Sequence, residues 1–218
     1  MDKDLRIAVI AVIAAVTLAA ALGYYFATIT VAGNAGGATG SGGGNLSESK
    51  PFRLVLVEPM NTKWNANTSQ PKFFVLGSTG LESSANISLP ARRLIQLTII
   101  SYDTPTPGSQ SQDAKVTGTV GNSIYLINST IASMSDPTMQ WGTNVSSVPV
   151  SSLAQTFSIP SLGINIPVPG GDMVTTYLYF NQPGAFEWLC LTPCGLGPNG
   201  GNGAMTQPGW MQGQINVY

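Results

Sequence analysis

Val168 to Tyr218 reads VPGGDMVTTYLYFNQPGAFEWLCLTPCGLGPNGGNGAMTQPGWMQGQINVY. Val174-Thr-Thr-Tyr177-Leu-Tyr179-Phe alternates apolar and polar residues, as a half-buried strand does. Gln182-Pro183-Gly184 is a turn signal, and Phe186-Glu-Trp-Leu189 reads as the next strand, running directly into Cys190. Cys194 follows four residues later in a loop of Gly and Pro, and Met211 precedes a last strand, Gln212–Tyr218. Glu187 and Trp188 point to opposite faces of their strand. Core or interface is the commoner place for such a Trp, and a place along an electron path is the alternative.

Upstream, the same grammar recurs. Strands are expected at Phe52–Glu58, Lys72–Leu76, Leu94–Ser101, Ala114–Val120, Ser123–Leu126, Thr156–Ile159 and Asp172–Phe180, followed by Phe186–Leu189 and Gln212–Tyr218. Pro105-Thr-Pro107-Gly108 and Pro169-Gly170-Gly171 punctuate them, and Ile127 to Val150 reads as a long irregular loop. Many short strands between turn signals imply an all-β sandwich or barrel for residues 51–218.

Before this domain lie two segments of different character. Ile7 to Val31 carries no charge and is long enough to cross a hydrocarbon core of about 30 Å. Lys3 and Arg6 on its short side place the N-terminus in the cytoplasm, and Tyr24, Tyr25 and Phe26 suit the far headgroup region. Residues 1–32 are therefore expected to be a cytoplasmic tip and a single-pass anchor in the cell membrane. A cleaved signal peptide, cut near Val31-Ala32-Gly33, is the alternative, and either way the remainder lies outside. Ala11, Ala15, Ala19 and Gly23 form a small-residue ridge suited to a second membrane helix, although the helix is Ala-rich all round. Residues 33–50 begin GNAGGATGSGGGNLSES, a flexible Gly/Ser linker that buries nothing. Five Asn-X-Ser/Thr sequons, at Asn45, Asn67, Asn86, Asn128 and Asn144, are glycosylation acceptors only on an extracytoplasmic chain.

Composition narrows the chemistry. Charged residues make up 9% of the 218, with Lys+Arg 9 against Asp+Glu 10; soluble domains average roughly 25%. A net charge of -1 gives no electrostatic footprint for nucleic acid. There is no histidine, which removes Ser-His-Asp and Cys-His catalysis and imidazole metal ligation from this chain. Compositional drift would produce such a chain, and so would adaptation to an acidic exterior, where imidazole is always charged.

The order Cys190, Cys194, Gly195, Met211, Gly213, Ile215, Val217 resembles the cupredoxin superfamily, most closely subunit II of haem-copper terminal oxidases. That family's motif is a strand, C-x-x-x-C-G, a His, then a Met before G-x-(I/V)-x-V. Gln155-Thr-Phe157-Ser-Ile159 is similar to its His-x-Phe strand, and Pro183-Gly184-Ala-Phe186 to its P-G-x-(Y/F). The resemblance covers about residues 90–218. The anchor and linker also suit single-span versions of that subunit and the anchored archaeal copper proteins called sulfocyanins. It implies a cupredoxin-like Greek-key β-sandwich, and a haem-copper subunit I or another respiratory membrane subunit as partner.

In the family, a binuclear copper centre is held by two Cys, two His, one Met and a backbone carbonyl. Cys190, Cys194 and Met211 stand at ligand positions, and Thr192 would supply the carbonyl. Gln155 stands at the first His position and Pro198 at the second, in a lengthened loop. The cofactor is thus copper at a degenerate Cys190/Cys194/Met211 site, or none. For the cysteines, a structural disulfide, a soft-ligand copper site and free thiols remain open. Met205 is a spare thioether, a type more often used for packing.

Three functions follow. The leading one is a subunit II-like, non-catalytic component of an archaeal, acid-living terminal oxidase, of the kind in which quinol supplies the electrons. The others are a stand-alone anchored copper electron carrier with a Cys/Met-rich site, and a glycosylated surface structural protein.

Overall fold

The computed structural model describes residues 50–128, 142–196 and 203–218, all within the unit Asn45–Tyr218. The expected anchor, most of the linker, Asn45, Pro198 and part of the expected long loop lie outside the described residues.

Among the described residues, twelve strands follow in chain order: β1 (Phe52–Glu58), β2 (Phe74–Gly77), β3 (Gly80–Ser83), β4 (Asn86–Leu89), β5 (Leu94–Ser101), β6 (Ile124–Asn128), β7 (Thr143–Val145), β8 (Leu153–Ile159), β9 (Ile164–Pro169), β10 (Asp172–Tyr179), β11 (Gly184–Leu189) and β12 (Gln212–Val217). Among the described residues they form two sheets, ordered β3-β2-β1-β5-β10-β6-β7 and β4-β12-β11-β8-β9. The all-β expectation holds. Strands β1, β5, β10, β11 and β12 lie within a residue or two of their expected bounds because each carries its own period-2 pattern or apolar run.

The sheets bury their facing side chains in one shared core. Leu54, Leu56, Ile95, Leu97, Ile99, Val174 and Leu178 come from the first sheet. Phe157, Ile159, Ile166, Trp188 and Ile215 come from the second. At the centre Trp188 stacks on Phe157 at 5.0 Å between ring centroids, and Phe73 meets Trp188 edge-on at 5.9 Å. Each such ring removes roughly 150–250 Å² from water and gains a further increment from ring geometry.

Four strands were not expected. β9 carries Pro167 and Pro169, which argue against a strand interior. It tolerates them at the edge of its sheet, where one row of N–H groups has no ladder partner. β3 and β4 are only four residues long, and β7 sits inside the expected loop. Conversely, Ala114–Val120 is not a continuous strand. Thr117 makes a bridge to Asn165, and Lys115 one to Ser147. The Asn165 side chain then donates to the carbonyls of Asp113 and Lys115, at 2.9 and 2.6 Å. Side-chain hydrogen bonds thus replace a regular ladder and cover the edge of β9.

Two features place the candidate site. β1 and β5 run parallel in unbroken register, so Glu58 lies opposite Ser101 at their shared end. β8 pairs with β9 through a register irregularity between Leu153 and Gln155. Bulges of this kind re-aim side chains. Every residue of β8 is buried, including Gln155, Thr156 and Ser158.

Candidate functional site

Cys190 leaves β11 and is tied at once to the last strand: its backbone N–H donates to the Met211 carbonyl at 2.9 Å. Met211 N–H in turn donates to the Ala204 carbonyl at 3.2 Å. Cys194 turns back sharply, its N–H donating to the Thr192 carbonyl at 2.7 Å. The turn places both cysteines in the core cluster that also holds Met211, and all three are buried. Gly195 is required where the loop leaves this turn. It adopts φ +65, and a Cβ there would come within 2.7 Å of the Ala204 Cβ. Of the residues singled out as ligand positions, Cys190 and Met211 are joined through their backbones, and Cys194 lies in the same buried core.

The Cys190 sulfur has a dense polar shell. The Thr156 N–H points at it from 3.5 Å, and the Thr192 hydroxyl lies 3.0 Å away. The thiol faces the Gln155 side-chain carbonyl at 3.4 Å and the Thr192 main-chain carbonyl at 3.7 Å. Thr156 Oγ1 accepts from the Leu191 N–H at 2.7 Å, and Thr192 Oγ1 donates to the Ala154 carbonyl at 3.2 Å, which pins the loop onto β8. Both cysteines are free thiols. Burial pushes the Cys190 thiol up, but the hydrogen bonds to its sulfur, that of Cys194 foremost, outweigh this and bring it below its ordinary value. Burial also pushes Cys194 well up, and its bond to Cys190 adds to the rise. The pair titrates as a unit, with Cys190 releasing the first proton.

Gln155, which the resemblance sets against an imidazole, is engaged at both ends. Its Oε1 accepts from the Cys190 thiol, and its Nε2 donates to Asp103 Oδ2 at 3.0 Å. Asp103 also accepts the Thr104 N–H at 2.8 Å. Beyond it lies Glu58, wholly buried, whose Oε2 accepts from the Ser101 hydroxyl at 2.8 Å and whose Oε1 has no partner. Burial first, and the charge of Asp103 second, hold the Glu58 carboxyl well above its ordinary value.

Sequence reasoning missed Glu58, Asp103 and Thr156. A signal existed for the first: Leu54, Leu56 and Glu58 share one face of β1, so alternation alone carries the acid inward. Thr156 and Asp103 reach the site through a bulge and a loop, which leave no such trace. Trp188 is a core residue whose indole N–H donates to the Ser84 carbonyl at 3.1 Å, whereas Glu187 on the same strand is exposed. Of the sequons, Asn67, Asn86 and Asn144 are exposed; the Asn128 side chain lies outside the described residues.

These residues do not fit the family's binuclear copper centre. That centre takes two imidazoles, and the chain has none. The side chain in the first imidazole's place already spends both of its polar ends within the protein. Among the described residues no three Cys, Asp or Glu side chains are placed together to hold a metal ion. The arrangement instead supplies a buried thiol, hydrogen-bonded to Gln155 and Thr192, with a buried acid beyond it. Outside it, the loop presents Leu191 and Leu196 to solvent, 43% and 52% exposed.

No family model and no curated protein matches the chain. Solved structures similar to it include the periplasmic domain of subunit II of cytochrome oxidase (CoxB) of Bradyrhizobium japonicum, at 11% identity over 77% of this chain and 83% of that one, TM-score 0.34. Auracyanin B is similar at 13% identity over 78% and 92%, TM-score 0.32. A chain of a heme-copper terminal oxidase dimer is similar at 13% identity over 100% of both, TM-score 0.33.

Proposed function

We propose that this chain is a subunit II-like component of a haem-copper terminal oxidase, anchored by its N-terminal helix, in which a hydrogen-bonded polar cluster occupies the place of the copper centre. It performs no chemistry in the oxidase reaction. It covers the outer face of the haem-bearing subunit, and electrons reach that subunit from membrane quinol. The observation that carries this is Gln155. In the resemblance it stands where an imidazole would, and its amide is committed to Cys190 and Asp103. An amide closed in this way keeps a scaffold's shape without a metal, because both of its polar ends retain a partner. Leu191 and Leu196 flank the cysteines as exposed apolar side chains, a pattern suited to a docking surface. The linker gives the domain reach.

The test is purification of the native membrane complex by a tag on this chain. Haem absorbance travelling with the chain in stoichiometric amount is expected. A haem-free, partnerless species overturns the proposal.

A further inference from the structure

We propose that Asn86 and Asn144 carry N-linked oligosaccharides that guard two sheet edges against pairing with another copy of this chain.

Among the described residues the sandwich has four edge strands, β3 and β7 in one sheet, β4 and β9 in the other. An edge strand offers unpaired N–H and C=O groups to any other chain, and proteins blunt it with charge, proline, cover or shortness. β9 holds Pro167 and Pro169 and is bridged at Asn165 by Thr117. β3 carries Glu82. β4 reads Asn-Ile-Ser-Leu and β7 reads Thr-Asn-Val, so neither has a charge or a proline. Each is short, which limits the pairing it offers without abolishing it. Each also has a sequon asparagine, in Asn86-Ile-Ser88 and Asn144-Val-Ser146. In a chain with 9% charged residues, sugar fills at these two edges the place that charge fills at β3.

The geometry suits that role. Asn86 and Ser88 are exposed and alternate with the buried Ile87 and Leu89. The Gln214 N–H donates to the Ala85 carbonyl at 2.8 Å, and the Tyr218 N–H to the Leu89 carbonyl at 2.9 Å. Backbone polar groups alternate sides along a strand. Those of residues 85, 87 and 89 therefore face β12, and those of Asn86 and Ser88 face the open edge. The oligosaccharide stands on a residue whose own main chain forms that edge. Asn144 is the middle residue of β7, exposed, and set opposite Tyr125 of β6.

The donor is a lipid-phosphate-linked oligosaccharide, used by a membrane transferase. The asparagine Nδ2 attacks the anomeric carbon of the first sugar. The C–N bond forms and the C–O bond to the lipid phosphate breaks. The phosphate keeps the electron pair, and one amide proton passes to a base. The hydroxyl of Ser88 or Ser146 completes the acceptor signal.

The proposal shares with the respiratory reading only a domain outside the cytoplasm, and glycopeptides are read whether or not haem travels with the chain. The full chain is purified in detergent from its native membrane and digested, and mass spectrometry is expected to find sugar on both Asn86 and Asn144. A bare asparagine at either site overturns the proposal. Ser88→Ala with Ser146→Ala removes both acceptor signals and is expected to shift the chain from one species to larger assemblies in sedimentation. Trimming the sugars of the folded chain to one residue with an endoglycosidase is expected to give the same shift without any substitution. Asn86→Lys with Asn144→Lys also loses the sugars but supplies charge, and is expected to stay a single species. Ser69→Ala, which removes the loop sequon at Asn67, is expected to change nothing. An alanine variant that stays a single species overturns the proposal, as does a lysine variant or a loop variant that assembles like it.

Discussion

Gln155 Nε2 donates to Asp103 Oδ2 at 3.0 Å across 52 residues of sequence, joining a bulged strand to the loop that follows β5. Through the same amide the Cys190 thiol is linked to an acidic pair. That connection closes the polar side of the site from within the protein. It is also the contact most exposed to a single substitution.

Gln155→Ala removes both of those hydrogen bonds and opens space beside the Cys190 sulfur. The expected loss is about 1–3 kcal/mol of unfolding free energy, since a buried thiol and a half-buried carboxylate each lose a partner. Denaturant unfolding of the full chain in detergent measures it. An unchanged midpoint would show that the amide is incidental.

Glu58 makes the domain an acid-favouring one. Its folded pKa is raised above the ordinary value of 4.5, so the folded state holds a proton that the unfolded state releases. Its contribution is therefore fully present below about pH 4.5 and is lost as pH rises toward the folded value. The groups facing it are Ser101, Asp103, Cys190 and Cys194. Unfolding measured from pH 4 to pH 8 is expected to show stability falling as pH rises. Glu58→Gln, which is neutral throughout, is expected to flatten that slope. Equal slopes in the two proteins would contradict this assignment.

Trp188→Ala is expected to cost about 3–5 kcal/mol, as deletion of a large core ring does. It removes the stack on Phe157 and leaves the Ser84 carbonyl without its indole donor. Thermal unfolding checks it; a loss below 1 kcal/mol would contradict a central place for this ring.

Gly213→Ala tests the packing of the last strand. A Cβ there would lie 2.5 Å from Trp188 Nε1 and 2.6 Å from the Ser84 carbonyl oxygen. Since one of those atoms is backbone, β12 itself must shift, at an expected cost of about 1–3 kcal/mol. The same unfolding assay applies, and a neutral result would show that β12 has room to move.

The parts of the fold legible in sequence were those with a strong local period. β1, β5, β10, β11 and β12 alternate or run apolar between turn residues, and Cys190 and Met211 meet because one follows β11 and the other precedes β12. β9 was hidden by its prolines, which an edge position excuses, and β3, β4 and β7 are too short to show a period. Ala114–Val120 has strand composition, yet the Asn165 side chain supplies the hydrogen bonds a ladder would have made. The acidic part of the site was the least legible. Asp103 and Gln155 meet only through tertiary structure, and the inward turn of Glu58 follows from alternation carried one step beyond the apolar residues. The absence of imidazole was plain from composition; the way the protein fills that place was not.

Copper content per chain, measured on the complex as purified from its native membrane without added metal, tests the central claim most directly. Copper assigned to this chain well below about one ion, with Cys190 and Cys194 both recoverable as thiols or as their disulfide, is the expected result. Stoichiometric copper that is lost on Cys194→Ser would contradict it, and would make the chain an electron carrier.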